Sequence, residues 1–180
     1  ADALVARRAE VRDLNARLQA AYADLDRAFD LARRAQRAVL PRRLPEVGAV
    51  RFAAAHRPRS RAGGDGYDVA RLDEHHVGFW LADAGGAGAP AGGLLGLLVR
   101  QAVRMKEVSG GGYWLVPPGD VLARANRELV ALDLDPPPLV GLACGHVDVR
   151  TGKVAVARGG LPPAVYVPAD GPTEVWHGPG

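Results

Sequence analysis

Two aspartates are the residues in this chain best suited to chemistry. Asp65 lies in Gly63-Gly64-Asp65-Gly66-Tyr67-Asp68-Val69, and Asp83 ends the run Val77-Gly78-Phe79-Trp80-Leu81-Ala82-Asp83. The polar Asp73-Glu74-His75-His76 between them reads as a turn. If residues 67–72 and 77–82 pair as an antiparallel hairpin, the numbers of facing residues sum to about 148 and Asp65 meets Asp83 at the open end. Facing Cα atoms in such a ladder lie about 5 Å apart. Two carboxylates that close repel, and one of them must hold its proton more tightly. A hard cation between them removes that cost, and carboxylate and carbonyl oxygens are the natural ligands of Mg²⁺ and Mn²⁺. Such an ion can bind a phosphate and activate water for in-line attack. The argument depends on register, since a slip of one residue turns one side chain to the other face. On spacing alone, the pair is either a metal-dependent hydrolytic site or ordinary loop acids, and Asp68 either supports it or is structural.

Other candidates are weaker. His75 and His76 fall at the turn, away from the aspartates; His56, His146 and His177 are isolated, and no zinc-ligand spacing occurs. Cys144, the single cysteine, sits in an apolar stretch and reads as a core residue. Ser60 and Ser109 have neither a nucleophile elbow nor a basic partner in sequence. The glycine run at 85–96 lacks both the GxGxxG spacing and the GK[ST] ending of nucleotide-binding loops.

The elements that would position the pair can be read in order. Leu4, Val11, Leu18, Leu25 and Ala32 recur every seven residues. With Leu14, Ala21, Ala28, Tyr22 and Phe29 they predict one long helix over 2–38. Its stripe either packs on its own domain or joins a second helix in a coiled coil. Pro41 and Pro45 end it and hold the chain extended. Residues 50–57 alternate loosely and predict a first strand, followed by the basic run Arg57-Pro58-Arg59-Ser60-Arg61. After the aspartate hairpin, Pro90 can open a helix whose apolar part is 94–105, with its amides aimed at the acidic corner. Residues 109–112 form a loop, with Tyr113-Trp114 at the surface, and a second helix runs from Pro117-Pro118-Gly119-Asp120 to Leu132. Residues 139–149 and 153–158 predict a second hairpin closed by Arg150-Thr151-Gly152. Short strands at 164–168 and 173–177 follow. Antiparallel strands covered by helices make an α+β or layered α/β domain.

Composition narrows the reading. The 180 residues suffice for one medium domain and an appendage, with 48% hydrophobic residues, enough for a core without disulfide staples. The net charge of +3 is concentrated in residues 1–45, where ten arginines face six acids. That excess is mixed with acids along a helix, which does not resemble a nucleic-acid footprint. The longest purely apolar stretch, 94–99, is too short to span a bilayer, and no secretory leader is recognisable. A lone cysteine fits a reducing, cytoplasmic compartment.

Taken in order, several motifs resemble the bacterial PP2C-type serine/threonine phosphatases of the sporulation-phosphatase and sigma-factor-regulator kind. They are Gln36-Arg37-Ala38-Val39-Leu40-Pro41 with Leu44-Pro45; Gly63-Gly64-Asp65-Gly66-Tyr67-Asp68-Val69; and Asp83-Ala84-Gly85-Gly86-Ala87-Gly88-Ala89-Pro90-Ala91. Val121-Leu122-Ala123-Arg124-Ala125-Asn126, residues 145–152 and Gly159-Gly160-Leu161-Pro162-Pro163 complete the series.

The resemblance implies a layered β-sandwich flanked by helices and a two-metal centre using Mn²⁺ or Mg²⁺. It implies hydrolysis of phosphoserine or phosphothreonine on a regulatory protein such as an anti-sigma-factor antagonist. It makes Asp65 and Asp83 catalytic metal ligands, with the Ala84 carbonyl as a further ligand. Residues 1–40 become a helical linker from an upstream sensor or receiver domain, able to form a homodimer, and 41–180 become part of the phosphatase domain. Two motifs depart from the family pattern. Alanine stands where the DxSGHG loop commonly has histidine, and Arg158-Gly159-Gly160 replaces AGH. The strand carrying the family's TDG aspartate would lie beyond Gly180, so the resemblance implies an incomplete domain. The alternative is a catalytically silent PP2C-like signalling or docking module that dimerises through its N-terminal helix.

Overall fold

Helix α1 (Asp2–Val39) is one continuous rod, as its seven-residue repeat predicts. The computed structural model describes residues 2–57, 63–85, 88–135 and 137–178. The basic run at 58–62 and the loop residues Gly86 and Ala87 lie outside them, as does the Leu4 side chain. On α1, Val11, Leu18 and Leu25 are 51%, 51% and 47% exposed. The helix enters the body of the protein only near its end, where Phe29, Ala32, Gln36 and Val39 are half-buried or buried. Those positions recur at helical spacing and define one face. None of the described helices is long and apolar enough to cross a membrane.

The body is a four-stranded antiparallel sheet. Strands β1 (Gly66–Arg71) and β2 (His76–Gly85) form the first hairpin. Helix α2 (Gly88–Ala102) follows, then the hairpin β3 (Lys106–Ser109) and β4 (Gly112–Leu115), and then helix α3 (Pro118–Val130). Strands β5 (Leu139–Asp148) and β6 (Val154–Gly159) form another hairpin. The sheet order is β1-β2-β5-β6, and β7 (Ala164–Tyr166) and β8 (Glu174–Trp176) make a separate two-stranded sheet.

Helices α2 and α3 cover one face of the sheet. Trp80 and Ala82 of β2, with Leu142 and Cys144 of β5, meet Val99 and Ala102 of α2 and Val121 and Ala125 of α3. The alternation of β2 therefore turns Phe79 and Leu81 to the opposite face, where Leu81 stays 53% exposed. The α+β arrangement agrees with the sequence reading. Of the layered sandwich, the described residues supply the helical layer and the four-stranded sheet, beside the small two-stranded sheets β3-β4 and β7-β8.

Two local expectations are corrected. Residues 51–57 do not form a strand; among the described residues, the pairing nearby is the isolated bridge between Val47 and Val50. This segment instead lays side chains on the open sheet face, with the rings of Phe52 and Phe79 6.5 Å apart. Residues 106–115 are a hairpin, where only a loop at 109–112 was expected. Gly110 and Gly111 take φ of 61° and 81°, the left-handed pair that a tight two-residue turn requires.

Candidate active site

The first hairpin has the register that brings the aspartates together. Gly66 faces Ala82 and Arg71 faces Val77, which sets Asp65 and Asp83 as neighbours just beyond the last pair. The ladder is pinned on their far side, where the Ala84 N–H donates to the Gly64 carbonyl at 3.3 Å. Glycine at 64 is a steric requirement. A Cβ there would lie 2.0 Å from the Ala84 carbonyl oxygen. From the other side, a Cβ on Gly92 of α2 would lie 2.9 Å from the Gly64 nitrogen. The Gly63-Gly64-Asp65 loop is thus held between the end of β2 and the first turns of α2.

Helix α1 supplies the third wall. Gln36 is 6% exposed, and its amide nitrogen donates to the carbonyls of Gly63 and Asp65 at 2.8 Å each. Its amide oxygen accepts from the Gly63 N–H at 3.3 Å. A buried amide with both ends satisfied fixes the loop backbone on either side of Gly64.

The electrostatics of the corner follow from this packing. The Asp65 carboxyl is pushed above its ordinary value, first by burial, then by the charge of Asp83 and by a hydrogen bond with it, while His56 pulls the other way. Two carboxyls in hydrogen-bonding contact cannot both ionise cheaply. Two converging carboxylate groups favour a hard divalent ion such as Mg²⁺ or Mn²⁺, so the donor chemistry fits the metal that the sequence implies. Among the described residues, no group of three or more His, Cys, Asp and Glu is placed to hold a metal. Ala84, the expected carbonyl ligand, lies at the same corner; it is 4% exposed and its oxygen faces Gly64.

The remaining candidates separate from this corner. Asp68 accepts a bond from the Val69 N–H at 2.9 Å and pairs with Arg100 of α2 at 3.1 Å, which is a structural role. His76 sits at the other end of the hairpin, its Nδ1 2.9 Å from both Asp73 oxygens, with the His146 ring edge-on at 6.0 Å. Cys144 is buried, and burial pushes its thiol up to about 11. It is an unreactive core residue at neutral pH. Asp120 lies in the first turn of α3 but makes no side-chain cap.

Two residues at the site could not be placed by sequence reasoning. Gln36 is a polar residue on the apolar face of α1; it opens one of the motifs that carry the family resemblance, but neither signal indicated which groups it would bond. His56, read as isolated, lies close enough to Asp65 to lower its pKa. Its ring is 6.4 Å from that of Tyr67, and its Nε2 is buried with no hydrogen-bond partner among the described residues. Nothing in the spacing of His56 indicates this.

A helix-covered antiparallel sheet with an acidic pair in a glycine-lined corner has the character of a PP2C-like phosphatase domain. The family model described as Stage II sporulation protein E (SpoIIE) matches residues 73–179. With more than half of its length matched, the chain belongs to the SpoIIE family, a PP2C-like phosphatase family. The matched segment includes Asp83 and Ala84 and begins after Asp65. A search of curated proteins found no match.

Proposed function

We propose that this chain carries the metal site of a serine/threonine phosphoprotein phosphatase acting in cytoplasmic signal transduction. Its substrate class is a phosphorylated regulatory protein such as an anti-sigma-factor antagonist. In this reading residues 1–40 are a helical linker that brings input from an upstream sensor or receiver domain, and 41–180 belong to the phosphatase domain. The observation that carries it is the meeting of Asp65 and Asp83, with the Asp65 carboxyl raised by burial and by its neighbour. Asp65 and Asp83 would hold Mn²⁺ or Mg²⁺, with the Ala84 carbonyl as a further ligand from this part of the domain. The bound ion would supply Lewis acidity, neutralising phosphoryl charge and acidifying water. The chain's own part is to hold the two carboxylates together, which Gly64, Gly92 and Gln36 do by packing and hydrogen bonding.

The test is Mn²⁺-dependent phosphate release from a phosphoserine protein by the full-length parent, together with calorimetric Mn²⁺ titration of this chain and of one extended past Gly180. Asp65→Asn and Asp83→Asn should each abolish release and weaken Mn²⁺ binding. Equal activity in both variants and the unmutated protein would sink the reading. A second reading, a silent module that dimerises through α1, is favoured by one observation: Val11, Leu18 and Leu25 stand exposed at seven-residue spacing. That reading expects no Mn²⁺ binding, but self-association in sedimentation velocity that Leu18→Glu disperses.

A further inference from the structure

We infer that Arg100 is a positioning residue for the Asp65–Asp83 pair, clamping the last turn of α1 to strand β1; this rests on reading the pair as the cation site. Among the described helices and strands, α1 packs chiefly on α2, and its polar attachments to the acidic corner come from its final turns. Two polar attachments occur there. Gln36 holds the carbonyls of Gly63 and Asp65. Three residues further along α1, the Val39 carbonyl accepts a hydrogen bond from Arg100 Nη1, while Nη2 of the same guanidinium lies 3.1 Å from an Asp68 carboxylate oxygen.

The chemistry of each contact is specific. Val39 ends α1, and its carbonyl is among those that no intrahelical N–H can reach. A cation there is favoured by the helix dipole. Asp68 stands three residues beyond Asp65 on the strand that leads out of the loop. An ordinary exposed ion pair joins two side chains and contributes little. Here one planar guanidinium, rooted on α2, holds an atom of α1 and an atom of β1 at once, a geometry that lysine's point charge cannot reproduce. Residues 63–68 are therefore tied to α1 at both ends, by Gln36 at the start and by Arg100 at the finish. Loss of the second tie lets α1 pivot on Gln36 and loosens the backbone that aims Asp65 at Asp83.

Hydrogen–deuterium exchange on the metal-free full chain tests this without reference to catalysis. Arg100→Gln should speed exchange of the amides at 63–66 by about fivefold, and Arg100→Lys should recover only part of the protection. The control is Arg104→Ala, which removes the neighbouring surface pair with Glu128 at 3.4 Å and should leave those amides unchanged. In Mn²⁺ titration, Arg100→Gln should weaken affinity by about tenfold with little change in the unfolding midpoint. The inference is overturned if exchange at 63–66 in Arg100→Gln equals that of the parent, or if Arg104→Ala speeds it equally. A parent chain that binds no Mn²⁺ refutes the cation reading instead, while the exchange comparison still decides whether the clamp exists.

Discussion

Gly64→Ala isolates the packing of the acidic corner in one methyl group. Gly64 is not among the glycines with left-handed φ, so alanine suits its backbone and the effect is purely steric. The new Cβ would stand 2.0 Å from the Ala84 carbonyl oxygen and 2.7 Å from the Ala84 carbonyl carbon and Cβ. Comfortable contact needs about 3.5 Å, so the two segments must part by more than about 1 Å. Strand β2 cannot yield, being an inner strand paired to β1 and β5, with Ala84 itself opposite Val140. The loop must therefore move, at the expense of the 3.3 Å bond from Ala84 and the 2.8 Å bonds from Gln36. Overpacking of this kind costs about 1–3 kcal/mol, and stranding the buried Gln36 amide costs about 1–3 kcal/mol more. A total of about 4 kcal/mol in a chain of this size lowers Tm by about 8–16 °C. Thermal unfolding followed by circular dichroism measures that loss, and Mn²⁺ calorimetry measures the accompanying drop in affinity. Gly119→Ala is the matched control: its Cβ would meet nothing within 4 Å, it lies in α3, and it should stabilise by about 0.5–1 kcal/mol. If Gly64→Ala melts with the parent and binds Mn²⁺ equally well, the packing argument for the site is wrong.

Two pH dependences follow from the same structure. Because the folded state raises the Asp65 carboxyl, by burial first and Asp83 second, its contribution to the metal-free protein is fully present below the ordinary value of 3.8. It is lost as pH rises through the raised folded value. Denaturant titrations in EDTA across the carboxylate range should show that loss in the parent and a smaller one in Asp83→Asn; identical slopes would refute the pairing. Asp73 behaves in the opposite sense. Burial alone would raise it, but the His75 N–H and the side chain and N–H of His76 bring it from 3.8 down to about 2. Its stabilisation is present above 3.8 and lost as pH falls toward about 2. Asp73→Ala should cost about 1.5–3 kcal/mol at neutral pH and flatten the acid limb of the urea midpoint, and an unchanged limb would contradict the assignment.

What was legible in the sequence was local and periodic. The first hairpin's register could be read because its two strands alternate about a polar turn, and that register sufficed to bring Asp65 to Asp83. The second hairpin was marked by Gly152, which takes a φ of 70° and closes the connection from β5 to β6. The seven-residue repeat gave α1 its length. Periodicity failed where a segment alternated without a sheet edge to join, as at 51–57, and where strands were only four residues long, as in β3 and β4. The signal for that hairpin was present in Gly110-Gly111, a two-residue turn between short β-compatible runs. The role of Gln36 was illegible for another reason. Its partners lie 27 and 29 residues away, and no local rule reports which distant carbonyls a helix-face amide will meet.

The placement of Gln36 has a thermodynamic consequence if Asp65 and Asp83 hold a cation as proposed. The corner is assembled by hydrogen bonds and glycine contacts from α1, α2 and the hairpin, and such regions open locally at lower cost than a core. A cation that binds only the assembled corner stabilises it by mass action. The same cation therefore stabilises the docking of α1, because Gln36 bonds to the backbone of Asp65 itself. Linkage is reciprocal: any force on the exposed part of α1 that withdraws Gln36 must weaken cation affinity by the same factor by which the cation opposes the withdrawal. A long helix exposed along residues 7–27 and, among the described residues, buried at its last turns is suited to deliver such a force. The two readings of α1, as an input lever and as an association surface, are then compatible, since pairing of the exposed segment is itself a way to rotate or shift its anchored end.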